Sequence, residues 1–96
     1  GKYAYVANSG SANVSQYTIG VDGALTAMTT ATIVADTSPN FVTVDPSGKY
    51  VYVTNLSSAN VSQYSIGTDG ALTALSTSTV SVETSPVTVA TTGSWE

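Results

Sequence analysis

The stretch SANVSQYTIGVDGALTA occupies residues 11–27, and SANVSQYSIGTDGALTA follows at residues 58–74. A shift of 47 positions aligns Gly1 with Gly48, Tyr17 with Tyr64, Gly23 with Gly70 and Pro39 with Pro86. Over residues 1–39 against 48–86, 26 of 39 positions are identical. After Pro86 the second copy drops two residues, so that SPNFVTVDPSGKY becomes SPVTVATTGSWE. With that gap, Gly93 falls on Gly48 and Trp95 on Tyr50. The chain therefore divides into repeat one (1–47), repeat two (48–92) and the start of a third (93–96).

Within each repeat the apolar period is two, the signature of a strand rather than a helix. KYAYVAN alternates Tyr3 and Tyr5 with Ala4 and Val6. NVSQYTIG sets Val14, Gln16 and Thr18 on one face and Ser15, Tyr17 and Ile19 on the other. ALTAMTTATIV alternates in the same way, and FVTVD is a short β-branched run of the kind a pleated surface favours. Turn chemistry separates these runs. Asp-Gly in VDGA (21–24) and TDGA (68–71) is a hairpin signal. DPSG (45–48) places Pro at the second position of a type I turn and Gly at its end. Pro in DTSPN and ETSP stands where a central strand cannot continue. The reading is all-β, with four antiparallel strands per repeat and no helix.

Four strands every 47 residues is the spacing of a β-propeller blade, between the WD40 and kelch periods. YVANSGSANVSQY and YVTNLSSANVSQY resemble the YVTN-type propeller repeat, and Tyr52-Val53-Thr54-Asn55 spells its motif. The chain is similar to the lactonase-like, seven-bladed propeller group (6-phosphogluconolactonase-like) over nearly its whole length. That resemblance implies a propeller segment. It leaves function open, because such repeats occur in lactonase-like enzymes and in surface-layer proteins. With strands named A to D from centre to rim, the chain order is B-C-D-A-B-C-D-A. The last A is an A-like strand expected over Val87–Ala90. These are two four-stranded blades in an incomplete ring, the first without its own A strand.

A blade is a sheet with two faces, and neither face reads as solvated. Two blades share one interface and leave two apolar flanks. At about 25 cal/mol per Å2, several hundred Å2 left uncovered forgoes about 10 kcal/mol, comparable with the whole stability of a small domain. The expectation is a segment of a longer propeller or a self-associating unit. Its partners would be other copies of itself or the remaining blades of a longer chain, joined by blade faces and strand exchange. A head-to-tail contact of that kind closes a ring or runs on as a filament.

Composition narrows the chemistry. There are six acids, two lysines, no arginine, no histidine and no cysteine, for a net charge of −4. Nucleic-acid binding needs cations against phosphate. A Ser-His-Asp relay needs histidine. Thiolate metal sites need cysteine. None of these is supported, nor is membrane insertion, since the longest apolar runs are a few residues. Ser and Thr make up about a third of the chain, a surface that points to an extracytoplasmic protein of the periplasm or cell surface.

In a propeller the B–C and D–A loops share one rim, where ligands usually bind. That collects Asn8, Asn13, Asp36 and Asn40 from repeat one and Asn55, Asn60 and Glu83 from repeat two. They form a polar face for a sugar, a peptide or a cation. The competing reading is turn chemistry, since Asn8/Asn55 and Asn13/Asn60 recur at fixed positions as turn-formers do. Asp22, Asp45 and Asp69 are explained by their turns, and no calcium-loop spacing is present; no cofactor or metal is expected. Tyr3, Tyr5, Tyr17, Tyr50, Tyr52 and Tyr64 are equivalent between repeats, which favours packing between blades over a stacking platform. Asn13, Asn55 and Asn60 each open an Asn-X-Ser triplet, which matters only in a glycosylating host. No catalytic residue is expected. The leading reading is a non-catalytic propeller module with a structural or interaction role. The alternative is a fragment of a propeller enzyme that hydrolyses sugar lactones, with its catalytic groups outside this segment.

Overall fold

A computed structural model of the chain describes residues 2–84, 86 and 88–90. Those residues form seven strands and no helix. The strands are β1 (Tyr3–Asn8), β2 (Asn13–Ile19), β3 (Leu25–Val34), β4 (Pro39–Val44), β5 (Tyr50–Asn55), β6 (Asn60–Ile66) and β7 (Leu72–Ser81). They make two antiparallel sheets, one of three strands in the order β1-β2-β3 and one of four in the order β4-β5-β6-β7. Each sheet follows chain order, as a propeller blade does. The first blade runs B-C-D and the second A-B-C-D.

The repeat is visible in the ladders. Tyr3 faces Thr18 and Asn8 faces Asn13 in the first blade, as Tyr50 faces Ser65 and Asn55 faces Asn60 in the second. Both outer hairpins break register at one place, between Ser15 and Tyr17 and between Ser62 and Tyr64. The hairpin glycines take the left-handed backbone that only Gly adopts without penalty, with φ of 87° at Gly23 and 86° at Gly70. Asp22 and Asp69 brace these turns by accepting bonds from the amides of Ala24 and Ala71, both at 3.1 Å. The Asp45 carbonyl accepts from Gly48 N at 2.8 Å, closing the turn that the Asp-Pro-Ser-Gly run predicts.

The core lies between the blades. Val14 from the first blade and Val51, Val53, Tyr64 and Leu72 from the second form one buried cluster, flanked by Tyr5, Ile33, Ala35, Val42 and Ile66. Which face is buried therefore differs between the repeats. In β2 the buried residues are Val14 and Gln16, and in β6 they are Ser62 and Tyr64. Each blade turns toward its neighbour the face that the other blade turns away.

The sequence places an inner strand over Val87–Ala90. Val87 lies outside the described residues, and 88–90 carry no ladder. The reason is pairing geometry. In the second blade β4 is held by β5, whereas the described part of the chain supplies no second-strand partner to residues 88–90. The start of a third repeat at 93–96 lies outside the described residues.

Candidate functional site

The best-built polar arrangement is the seam between the blades, which runs from the hairpin end to the rim. At the hairpin end, Tyr5 donates its hydroxyl to the Gly70 carbonyl at 2.6 Å, and Tyr3 to that of Thr68 at 3.3 Å. A Cβ on Gly70 would collide with the Tyr3 ring, so this glycine is needed both for its backbone and for the close approach. Burial, then the neighbouring Tyr3 and Asp69, hold the Tyr5 phenol above its ordinary pKa.

Gln16 stands at the middle of the seam and is fully buried. Its Nε2 donates to the Thr30 carbonyl at 2.7 Å, inside the register break of its own blade. Its Oε1 accepts from the amide of Leu72 in the other blade at 2.6 Å. A buried amide with both ends engaged holds its neighbours in one arrangement. Gln63 repeats the first bond, to Thr77 O at 2.7 Å, on the outward side of the second blade. Tyr64 crosses the seam in the other direction and donates to Val34 O at 2.6 Å. Burial is the main cause of its raised pKa; the Ser62 hydroxyl opposes the shift and Asp36 adds to it.

At the rim, Asn8 Nδ2 donates to Asn13 Oδ1 at 2.8 Å and Ser15 Oγ at 2.7 Å, bridging the ends of β1 and β2. Asn55 does the same with Asn60 at 2.9 Å and Ser62 at 2.8 Å. These bonds fix loops in which Ala12 and Ala59 take left-handed backbone, at φ 58° and 55°. The Asn55 Oδ1 is fully buried and has no hydrogen-bond partner. Asp36 joins the blades through Oδ2, which accepts from Asn60 Nδ2 at 2.8 Å. Its carboxyl lies below the usual range, chiefly through Asn60 and then the Ser58 side chain, against a smaller opposing effect of burial. Thr37 N donates to Ser58 Oγ at 2.7 Å, and Ser57 Oγ to Ser38 Oγ at 2.9 Å. Asn40 Oδ1 accepts from Thr54 Oγ1 at 2.9 Å, and Glu83 sits in an exposed bend.

The rim residues named from sequence are thus distributed along two loop systems rather than around one pocket. Asp36, Asn60 and Asn55 are joined by hydrogen bonds; Asn8 and Asn13 form a second bonded group; Asn40 bonds to Thr54 and Glu83 is exposed. Among the described residues no group of three or more carboxylates gathers to hold a metal ion. Of the six tyrosines, Tyr3, Tyr5 and Tyr64 bond across the seam, while Tyr17, Tyr50 and Tyr52 occupy the repeat-equivalent positions on the two flanks. Sequence reasoning did not single out Gln16 or the second duty of Gly70. The signal for Gln16 was available: a glutamine on an apolar face, between Val14 and Thr18, recurring as Gln63.

A crystal structure of a functionally unknown protein from Desulfotomaculum acetoxidans matches this fold with a TM-score of 0.71 at 24% identity. The match covers 81% of this chain and 24% of that one, so the chain spans about a quarter of its structural relative. Comparison with curated proteins finds no match. A family model described as a lactonase, seven-bladed β-propeller, matches residues 1–91. On that match, and on two repeats folded as adjoining blades, the chain belongs to the lactonase family of seven-bladed β-propellers.

Proposed function

We propose that this chain acts as a non-catalytic propeller module with a structural or interaction role, working through the flat flanks of its blades. The supporting observation is the contrast between equivalent positions. Val53 is 0% exposed against the first blade, whereas its counterpart Val6 is 44% exposed; Leu72 is 6% exposed and its counterpart Leu25 is 52%. Residues that fill the seam in one repeat stand uncovered in the other, so each flank carries half of a blade-to-blade interface. The hydroxyl-rich, charge-poor surface supports an extracytoplasmic setting. The polar groups of the rim are directed at their own loops and at the seam.

The second reading is a segment of a lactone-hydrolysing propeller whose reacting groups lie outside these residues; the family match supports it. A hydrolysis assay on a sugar lactone tests the non-catalytic reading. With the folded chain, the rate is expected to equal that of buffer. Turnover above buffer that is lost in Asp36→Asn would sink the non-catalytic reading.

A further inference from the structure

We infer that the rim end of the seam binds a single water molecule as a fixed part of the fold, held by the side-chain oxygen of Asn55. Every group that builds this site lies between residues 36 and 62, inside the joint between the two blades.

An ionised carboxylate only accepts hydrogen bonds, so Asp36 decides which way the amides beside it face. Its Oδ2 takes a bond at 2.8 Å, and the donor has to be the Asn60 amide nitrogen. Asn60 Oδ1 is thereby left facing Asn55, and the group that meets it at 2.9 Å has to be the Asn55 amide nitrogen. The same nitrogen donates to Ser62 Oγ at 2.8 Å, so both of its protons are committed. Turning the Asn55 amide over would set two carbonyl oxygens against each other. The order carboxylate, Asn60, Asn55 therefore fixes the Asn55 Oδ1 as an acceptor turned away from Asn60 and Ser62. There it is fully buried and has no donor among the described residues.

Buried polar atoms that lack a protein partner are met by ordered water. Two observations limit the occupant to that size. The seam has one cleft lined by Asp36, Ser62 and Tyr64 and another lined by Thr18, Thr30 and Asp69, and neither reaches Asn55. An organic ligand in either cleft would not touch this oxygen. A hard cation such as calcium takes about six to eight oxygens, several of them from carboxylates, and among the described residues no three carboxylates gather. The surroundings are held shut. Leu56 N donates to Ser38 O at 2.9 Å, Ser57 Oγ to Ser38 Oγ at 2.9 Å and Thr37 N to Ser58 Oγ at 2.7 Å. These bonds tie the connection between the blades to the loop that follows Asn55. Ser38 keeps left-handed backbone there, at φ 56°, a conformation that persists only where its surroundings impose it. Its hydroxyl accepts from Ser57 and retains its own proton, so it is a second group at this junction with a bond to give.

A crystal structure of the chain at atomic resolution, paired with oxygen-17 relaxation dispersion of water in solution, tests this. The expected crystal result is a density peak at hydrogen-bond distance from Asn55 Oδ1. The expected solution result is a water that stays bound far longer than the surface hydration does. Asn55→Leu keeps the approximate shape of the side chain and removes the acceptor. In that variant the dispersion amplitude is expected to fall by the share of a single water. An Asn55 oxygen that the crystal shows met by a protein donor, such as the Ser38 hydroxyl, overturns the inference. So does one packed against carbon alone. Both results are read on the unsubstituted chain and do not depend on the variant folding. An unchanged amplitude in folded Asn55→Leu puts the long-lived water elsewhere and overturns its assignment to Asn55.

Discussion

Gln16 and Gln63 are the same residue of the repeat in two environments, and that difference makes them an internal control. Gln16 is buried with both ends bonded; Gln63 has its amide nitrogen bonded and lies on a flank. Gln16→Ala leaves the Thr30 carbonyl and the Leu72 amide without partners inside the seam. At about 1–3 kcal/mol for each of the two stranded groups, a loss of about 2–6 kcal/mol is expected. Gln63→Ala is expected to cost under about 1 kcal/mol, because water replaces the lost bond. Urea denaturation of dilute monomer reads both; equal losses would contradict the assignment of the seam. Asp36 supplies a pH test. Its carboxyl is held below the ordinary range by Asn60 and Ser58, so the fold binds its proton less readily than the unfolded chain does. The resulting stabilisation is fully present above the ordinary carboxylate pKa and is lost as pH falls through the depressed value. Asp36→Asn is expected to flatten that part of the acid limb in a midpoint-against-pH series.

At the scale of elements, the two outer hairpins use one turn chemistry and differ in what lies beside it. Gly23 and Gly70 share the left-handed backbone, so an alanine at either is strained by about 1–2 kcal/mol. Gly23 has open space around it, while Gly70 supports the Tyr3 ring. Gly70→Ala is therefore expected to lose a further amount, about 1–3 kcal/mol, for overpacking. Thermal melts of the two variants measure the difference. The strands and turns themselves were legible in the sequence, because period-two alternation, Asp-Gly and Asp-Pro-Ser-Gly are local signals. The pattern of an inner strand was legible over Val87–Ala90, and residues 88–90 carry no ladder. A strand, however, needs a partner, and pairing is a property of two segments.

For the whole molecule, the repeat announced blades and an unsatisfied flank before any coordinates. What it could not announce was which flank each blade would hide. Tyr17 and Tyr64, or Val6 and Val53, are the same residue at equivalent positions of the repeat, and their burial is decided by the order of the blades along the chain. Gln16 escaped notice for a related reason: its acceptor role depends on Leu72, 56 residues away and on another sheet. The rim was legible as polar, and the division of that polarity into separate bonded groups required the loops to be seen.

The register break that Gln16 bridges has one more effect. β3 is a ten-residue rim strand, LTAMTTATIV, with no charge and no proline along it. A straight edge of that length and composition invites lateral ladders between neighbours. Its register with β2 shifts between Ala27 and Thr32, and an irregularity of this kind bends and twists a strand away from the flat edge that a foreign strand would extend. The interruption thereby makes this outer edge a poorer template for sideways aggregation.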